Sequence, residues 1–160
     1  MSNNKIEINI PTQTLKLIAD EKIFRYDISS AKNGHGQLNG SGCTPLGKHF
    51  VRAKIGTDLA PNSVLVARRP TGEIYSKELA KKFPNRDWVL TRILWLCGCE
   101  IGFNRLGDVD SMCRYIYIHA TPDSEPMGIP LSHGCIRMRN RDIIQLFDSI
   151  QVGIPVTISN

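Results

Sequence analysis

The chain has 160 residues, 41% hydrophobic and 22% charged, which fits one globular domain with a sizeable core. Its net charge of +5 comes without a Lys/Arg run or an interleaved aromatic stripe, so nucleic acid is not an expected partner and the basic balance suits an anionic ligand or a solvated surface. The most apolar run, Ile93 to Cys97, is far shorter than the ~20 residues a bilayer helix needs, so no membrane association is expected.

Taken in order, Met1-Ser2-Asn3-Asn4 lacks the basic region of a secretory leader, and Ile6, Ile8 and Ile10 alternate with polar residues as in a strand. The expected location is therefore the cytoplasm. Leu15/Leu17 and Phe24/Tyr26/Ile28 continue the alternation, with turns at Pro11-Thr12 and Asp20-Glu21, so residues 5–28 predict a three-stranded meander. Residues 29–47 read as loop. Their glycines lack the Gly-Lys-Ser/Thr ending and following helix that a phosphate cradle requires. His35 and His49 are expected to be surface or structural. Phe50 to Ile55 and Ser63 to Ala67 predict strands, and Ser76 to Phe83 a short helix capped by Ser76. Trp88 to Cys99 is dense in apolar and β-branched residues, which predicts a central strand, and Gly102 to Asp110 a loop. Asn140 is the predicted N-cap of a helix whose Ile143, Ile144, Phe147 and Ile150 share one face; Val156 to Ile158 closes as a strand. The fold class is mostly β, with one or two short helices packed on it, in a single domain over residues 1–160.

The five cysteines (Cys43, Cys97, Cys99, Cys113 and Cys135) form no spaced framework, and an essential thiolate among four others would risk mispairing in an oxidising compartment. Cys97-Gly98-Cys99 lacks the usual ligand spacing of zinc sites, so no metal and no cofactor are expected.

The chemistry concentrates between Tyr115 and Asn140. Tyr115 to Ile118 predicts a strand that delivers His119 at its end, and the turn formers Pro122, Asp123, Pro126, Gly128 and Pro130 double the chain back towards Ser132-His133-Gly134-Cys135. A thiol needs a nearby base because only the thiolate is strongly nucleophilic. Cys135 is therefore the candidate nucleophile and His119 the candidate base. His133 supports the site or contacts substrate. Gly134 allows unusual backbone geometry, and its N–H with that of Cys135 is a candidate oxyanion donor. Arg137 carries a planar fork suited to a carboxylate, the alternative being a structural ion pair. Tyr117 and Ser132 complete the candidate substrate-binding set with Arg137, the Ser132 hydroxyl also being suited to bond the loop.

Ser132-His133-Gly134-Cys135-Ile136-Arg137-Met138, preceded by Ile118-His119, resembles the signature of the L,D-transpeptidase (YkuD-like) catalytic family. The likeness extends through Arg92 to Leu96, Gly102, Asn104-Arg105, Asp110-Ser111 and Thr44-Pro45-Leu46-Gly47, and so covers about Thr44 to Ile158. It implies a β-sandwich or barrel and a thioester formed on Cys135 from murein stem peptides, cut after the L-centre of meso-diaminopimelate. It also implies that the backbone carbonyl of residue 120 orients the base; Ala120 stands where relatives often carry Gly or Ser. With a cytoplasmic location, the expected substrate is a murein tetrapeptide or muropeptide ending in D-Ala and the expected acceptor is water, giving an L,D-carboxypeptidase. A periplasmic cross-linking transpeptidase is the alternative. A sortase-like enzyme is disfavoured, because its His and Cys lie further apart in sequence. A non-catalytic muropeptide-binding module is disfavoured because nucleophile and base are both present.

Overall fold

A computed structural model describes residues 3–160; Met1 and Ser2, the start of the segment read as leader-free, lie outside the described residues. The first three strands follow the predicted alternation: β1 (Lys5–Asn9), β2 (Thr14–Ala19) and β3 (Lys22–Asp27), with Ile6, Ile8, Leu15 and Leu17 fully buried. They are joined by β4 (Gly47–Ile55), β5 (Ser63–Val66), β6 (Arg69–Ile74), the helix α1 (Lys77–Lys82) and β7 (Val89–Gly98). Then come β8 (Tyr117–Ala120), β9 (Ile136–Met138), the helix α2 (Asn140–Ser149) and β10 (Pro155–Ser159). The described residues form a mostly β fold with two α-helices.

All ten strands belong to one curled, mixed sheet in the order β3-β2-β1-β10-β4-β7-β5-β6, with β8 on β7 and β9 on β8. The pairs β1/β10 and β8/β9 are parallel and the rest antiparallel. β7 is the hub. Ile93 pairs with Ile55 of β4 on one side and His119 of β8 on the other. Its side chains alternate between two clusters. Leu94 and Leu96 join Ile118, Ala120, Ile136, Met138 and the inner face of α2 in the main core. Ile93 joins Tyr117 and Leu65, with Trp95 and Cys135 packed against them, on the opposite face. Each fully buried Ile or Leu contributes roughly 1.5–3 kcal/mol, so the main core fixes the sheet and leaves the second face for the site.

Ser76 accepts from the Leu79 N–H at 3.0 Å and caps α1 as its sequence predicts. Three local readings are corrected. β6 escapes a sequence reading because Pro70 and Gly72 look like turn residues; as the last strand in the sheet order it has an unpaired edge, where proline is tolerated. The strand before the site runs from Tyr117 to Ala120, so His119 lies inside it, and Tyr115 turns with φ of 56°. Asn140 does not cap α2. It is the first helical residue and buried, and the Asp123 carboxylate accepts from both its backbone N–H and its side-chain amide at 3.1 Å. A side chain 17 residues away thus does the capping, which no local pattern signals.

His49 is 2% exposed, with Nδ1 3.0 Å from the Gly47 carbonyl and Nε2 2.8 Å from the Ser111 hydroxyl; burial pushes its imidazole down to about 4. Cys97 is buried on β7 and Cys99 is exposed beyond the strand end. Between them a side chain at Gly98 would strike the Asn104 backbone carbonyl, so this position requires glycine.

Candidate active site

The β8/β9 ladder builds the site. Ile118 pairs with Ile136 and His119 with Arg137, so Cys135 enters next to Tyr117. Because side chains alternate along a strand, Tyr117, His119, Cys135 and Arg137 share the face opposite the main core. The turn-rich loop from Pro122 to Leu131 returns the chain as predicted, but the pairing is parallel, which a tight hairpin cannot provide.

His119 is 1% exposed and its Nδ1 lies 2.6 Å from the Ala120 carbonyl oxygen. A carbonyl only accepts, so Nδ1 carries the proton and Nε2 keeps its lone pair. Burial also holds the imidazole below its ordinary value, favouring this neutral form. Ala120 thus supplies the orienting carbonyl without any side-chain requirement.

Cys135 is held by backbone. Its Sγ donates to the Tyr115 carbonyl and accepts from the Tyr117 N–H, both at 3.3 Å. Among the described residues it makes no hydrogen bond to His119. Burial pushes the thiol up to about 12, against the smaller opposing pull of the Tyr117 N–H, Arg137 and Arg114. The resting pair is therefore thiol and neutral imidazole, not thiolate and imidazolium.

Gly134 has φ of +137°, and a Cβ there would approach the Cys43 carbonyl at 3.4 Å, so glycine is needed on conformational grounds. Its N–H is engaged, donating to the Ser132 hydroxyl at 3.2 Å. The Ser132 hydroxyl in turn donates to the Cys135 carbonyl at 2.6 Å. At 2% exposed, Ser132 braces the loop through these two bonds. Tyr117 is 7% exposed, and its hydroxyl accepts from the Arg68 guanidinium at 2.9 Å. Its ring packs in the same cluster as the Cys135 side chain.

His133 and Arg137 converge on a residue the sequence did not single out. Asp87, in the irregular segment before β7, stands 3.4 Å from His133 Nδ1 and 3.2 Å from the Arg137 guanidinium. Burial works to raise the Asp87 carboxyl, but His119, Arg137 and His133 outweigh it and hold it below the usual range. The Arg137 side chain is only 11% exposed whereas that of His133 is 75% exposed. Arg137 is thus already committed to an ion pair, and His133 is the accessible member of the set. They line a cleft of about 190 Å³ with Trp88, Thr121, Pro122 and Glu125.

Three further residues complete the site. The buried Thr44 hydroxyl donates to the Gly134 carbonyl at 2.8 Å and accepts from the Ala31 N–H at 3.0 Å, clamping the cysteine loop. Arg114 ties down the adjacent loop by donating to the carbonyls of Gly36, Gln37 and Cys43 and the Ser41 hydroxyl. Arg68 reaches the site from the turn between β5 and β6. Thr44 stood in a stretch that carried the resemblance; Asp87, Arg114 and Arg68 had no sequence signal, since each is a lone charge distant in sequence from Cys135.

The chain resembles known proteins in sequence and in fold. The L,D-transpeptidase catalytic domain (YkuD) profile matches residues 3–158. The probable L,D-transpeptidase YbiS of Escherichia coli K12 is 44% identical over 43 residues, 27% of this chain and 14% of that relative. The putative L,D-transpeptidase YqjB of Bacillus subtilis is 42% identical over 60 residues, 38% of this chain and 32% of that relative. Among solved structures, L,D-transpeptidase 3 from Mycobacterium tuberculosis in complex with a faropenem-derived adduct superposes with a TM-score of 0.62. The match has 16% identity and covers 99% of this chain and 61% of that one. The L,D-transpeptidase from Xylanimonas cellulosilytica gives 0.56 at 19% identity, again over 99% of this chain and 61% of the other. The chain therefore matches less than two thirds of the length of each of these relatives.

Proposed function

The chain belongs to the L,D-transpeptidase catalytic domain family, an enzyme family, and on that premise we propose that it is a cysteine-dependent L,D-carboxypeptidase of murein stem peptides. It would cleave between the L-centre of meso-diaminopimelate and a terminal D-Ala, releasing a tripeptide from a tetrapeptide. The observation that carries this reading is the shared face of His119 and Cys135, with Nδ1 fixed on the Ala120 carbonyl and Nε2 left as the base.

In this mechanism the Cys135 sulfur attacks the scissile carbonyl as its proton leaves the Tyr115 carbonyl and passes to His119 Nε2. The proton moves during attack because neither group is charged at rest. The Gly134 N–H is already engaged, so the Cys135 N–H is the backbone donor proposed for the oxyanion. The imidazolium then protonates the departing amine of D-Ala, and the thioester remains. A water deprotonated by Nε2 attacks the thioester carbon, and collapse returns the thiol.

Hydrolysis in a reducing cytoplasm is favoured over cross-linking by the cysteines: all five are free, and Cys99 and Cys113 are exposed. Equal amounts of a D-Ala-terminated donor and an acceptor stem, analysed by mass spectrometry, test the assignment. Tripeptide and free D-Ala are expected, and both should vanish in Cys135→Ala protein that melts normally. A cross-linked dimer as the main product would make the enzyme a transpeptidase.

A further inference from the structure

The arginines of the sheet and its loops differ in what they have left to give. Arg137 is nearly buried and paired with Asp87. Arg114 is spent on loop carbonyls and the Ser41 hydroxyl. The Arg92 guanidinium is buried against the Leu59 and Thr91 carbonyls. Arg68 is half-buried, and among the described residues its hydrogen bond to the protein is the single one to the Tyr117 hydroxyl at 2.9 Å. Its remaining donors form an open fork.

That fork is held in place. The guanidinium lies 4.8 Å from the Trp95 ring centre and 4.9 Å from that of Tyr115, stacked on two aromatic faces. The backbone beneath it is strained: Ala67 and Arg68, the two residues between paired Val66 and Arg69, have φ of 47° and 65°. Positive φ at both central positions is the pattern of a type I′ turn, which normally selects Asn-Gly. An Ala-Arg pair is costly there, and such strain persists when surrounding contacts over-determine it. The aromatic stack and the Tyr117 hydroxyl are those contacts.

Position completes the case. Tyr117 gives its hydroxyl to Arg68 and its N–H to Cys135 Sγ, so a single tyrosine spans guanidinium and nucleophile. When the leaving group is one amino acid, its carboxylate lies roughly 4–5 Å from the scissile carbon, because successive Cα atoms are about 3.8 Å apart. A carboxylate displaced from the sulfur along the Tyr117 ring, towards its hydroxyl, approaches the guanidinium.

We propose that Arg68, not Arg137, receives the free α-carboxylate of the residue being removed, and so restricts the enzyme to a single residue at the end of its substrate. This rests on the carboxypeptidase reading above. The site recognises a carboxylate bidentately and discriminates against an amide or a further residue at that position.

Cys135→Ala protein, which cannot turn over, is titrated calorimetrically with the D-Ala-terminated tetrapeptide and with its C-terminal amide. The acid should bind roughly ten- to hundredfold more tightly, the scale of a charge-assisted hydrogen bond. Adding Arg68→Ala should remove that preference by weakening the acid alone. Arg68→Lys keeps the charge but not the fork and should retain only part of it, which also serves if the alanine variant fails to fold. A preference that survives in Arg68→Ala, or equal weakening of both ligands, overturns the proposal even where the native enzyme cleaves the tetrapeptide. Arg68-dependent preference without cleavage by the native enzyme leaves the carboxylate site standing and sinks the carboxypeptidase reading. Binding of neither peptide overturns both.

Discussion

The protonation state of the resting thiol has a direct kinetic signature. With Cys135 pushed up to about 12, the thiolate fraction at pH 7 is on the order of 10⁻⁵, against a few per cent for a free cysteine of pKa about 8.5. Alkylation by iodoacetamide, which consumes thiolate, should therefore be roughly a thousandfold slower at pH 7 than for a cysteine-containing peptide. It should climb about tenfold per pH unit to pH 10 without a plateau. The other four cysteines also react, so the extent of labelling is read on the Cys135 peptide after digestion, by mass spectrometry. The same profile is then taken on His119→Ala. In a thiolate–imidazolium pair, removing the histidine would depress labelling sharply. In a neutral pair the profile stays where it is, while turnover falls by the 10²–10⁴ typical of a lost general base. A plateau below pH 8, or a tenfold loss of labelling in His119→Ala, would refute the neutral resting state and the proton transfer built on it.

Thr44→Val keeps the shape but strips two buried partners, the Ala31 N–H and the Gly134 carbonyl, of their hydrogen bond. At about 1–3 kcal/mol for each unpaired group, urea denaturation should register a loss of roughly 3 kcal/mol. A shift of the cysteine loop should also lower kcat about tenfold or more; unchanged stability and rate would dismiss the clamp. Acid should destabilise the fold through His49, whose imidazole titrates near its ordinary 6.5 when unfolded but at about 4 when folded. The unfolded chain takes up the extra proton as pH falls through 6.5. Stability is therefore full above that value and declines by about 3 kcal/mol as pH approaches 4. A His49→Gln variant, compared with the parent by urea titration at pH 7.5 and 4.5, should lose less over that interval. Parallel losses in the two proteins would place the acid sensitivity elsewhere.

Much of this molecule is written locally. The alternation of Ile6, Ile8, Leu15 and Leu17 specifies strands because one face must be buried, and Ser76 ahead of Lys77–Lys82 specifies a helix start because its hydroxyl satisfies a free N–H. Ser132 to Met138 announces thiol chemistry because its glycine, cysteine and arginine lie within a few bonds of one another. The family was legible for that reason. What depends on groups distant along the chain was not. The parallel pairing of β8 with β9 is settled by burial of Ile118 and Ile136 against α2 and β7, and only that pairing puts His119 and Cys135 on one face. Asp87 joins the site through space, and by engaging Arg137 it leaves an open fork to Arg68, whose turn, read alone, has unfavourable residues for its conformation. Asn140 looks like a cap until Asp123 takes that place. The charge on Cys135 follows from how much water the fold removes and which backbone groups it offers in return; both belong to the tertiary structure, because desolvation sums over every neighbour, wherever it lies in the sequence.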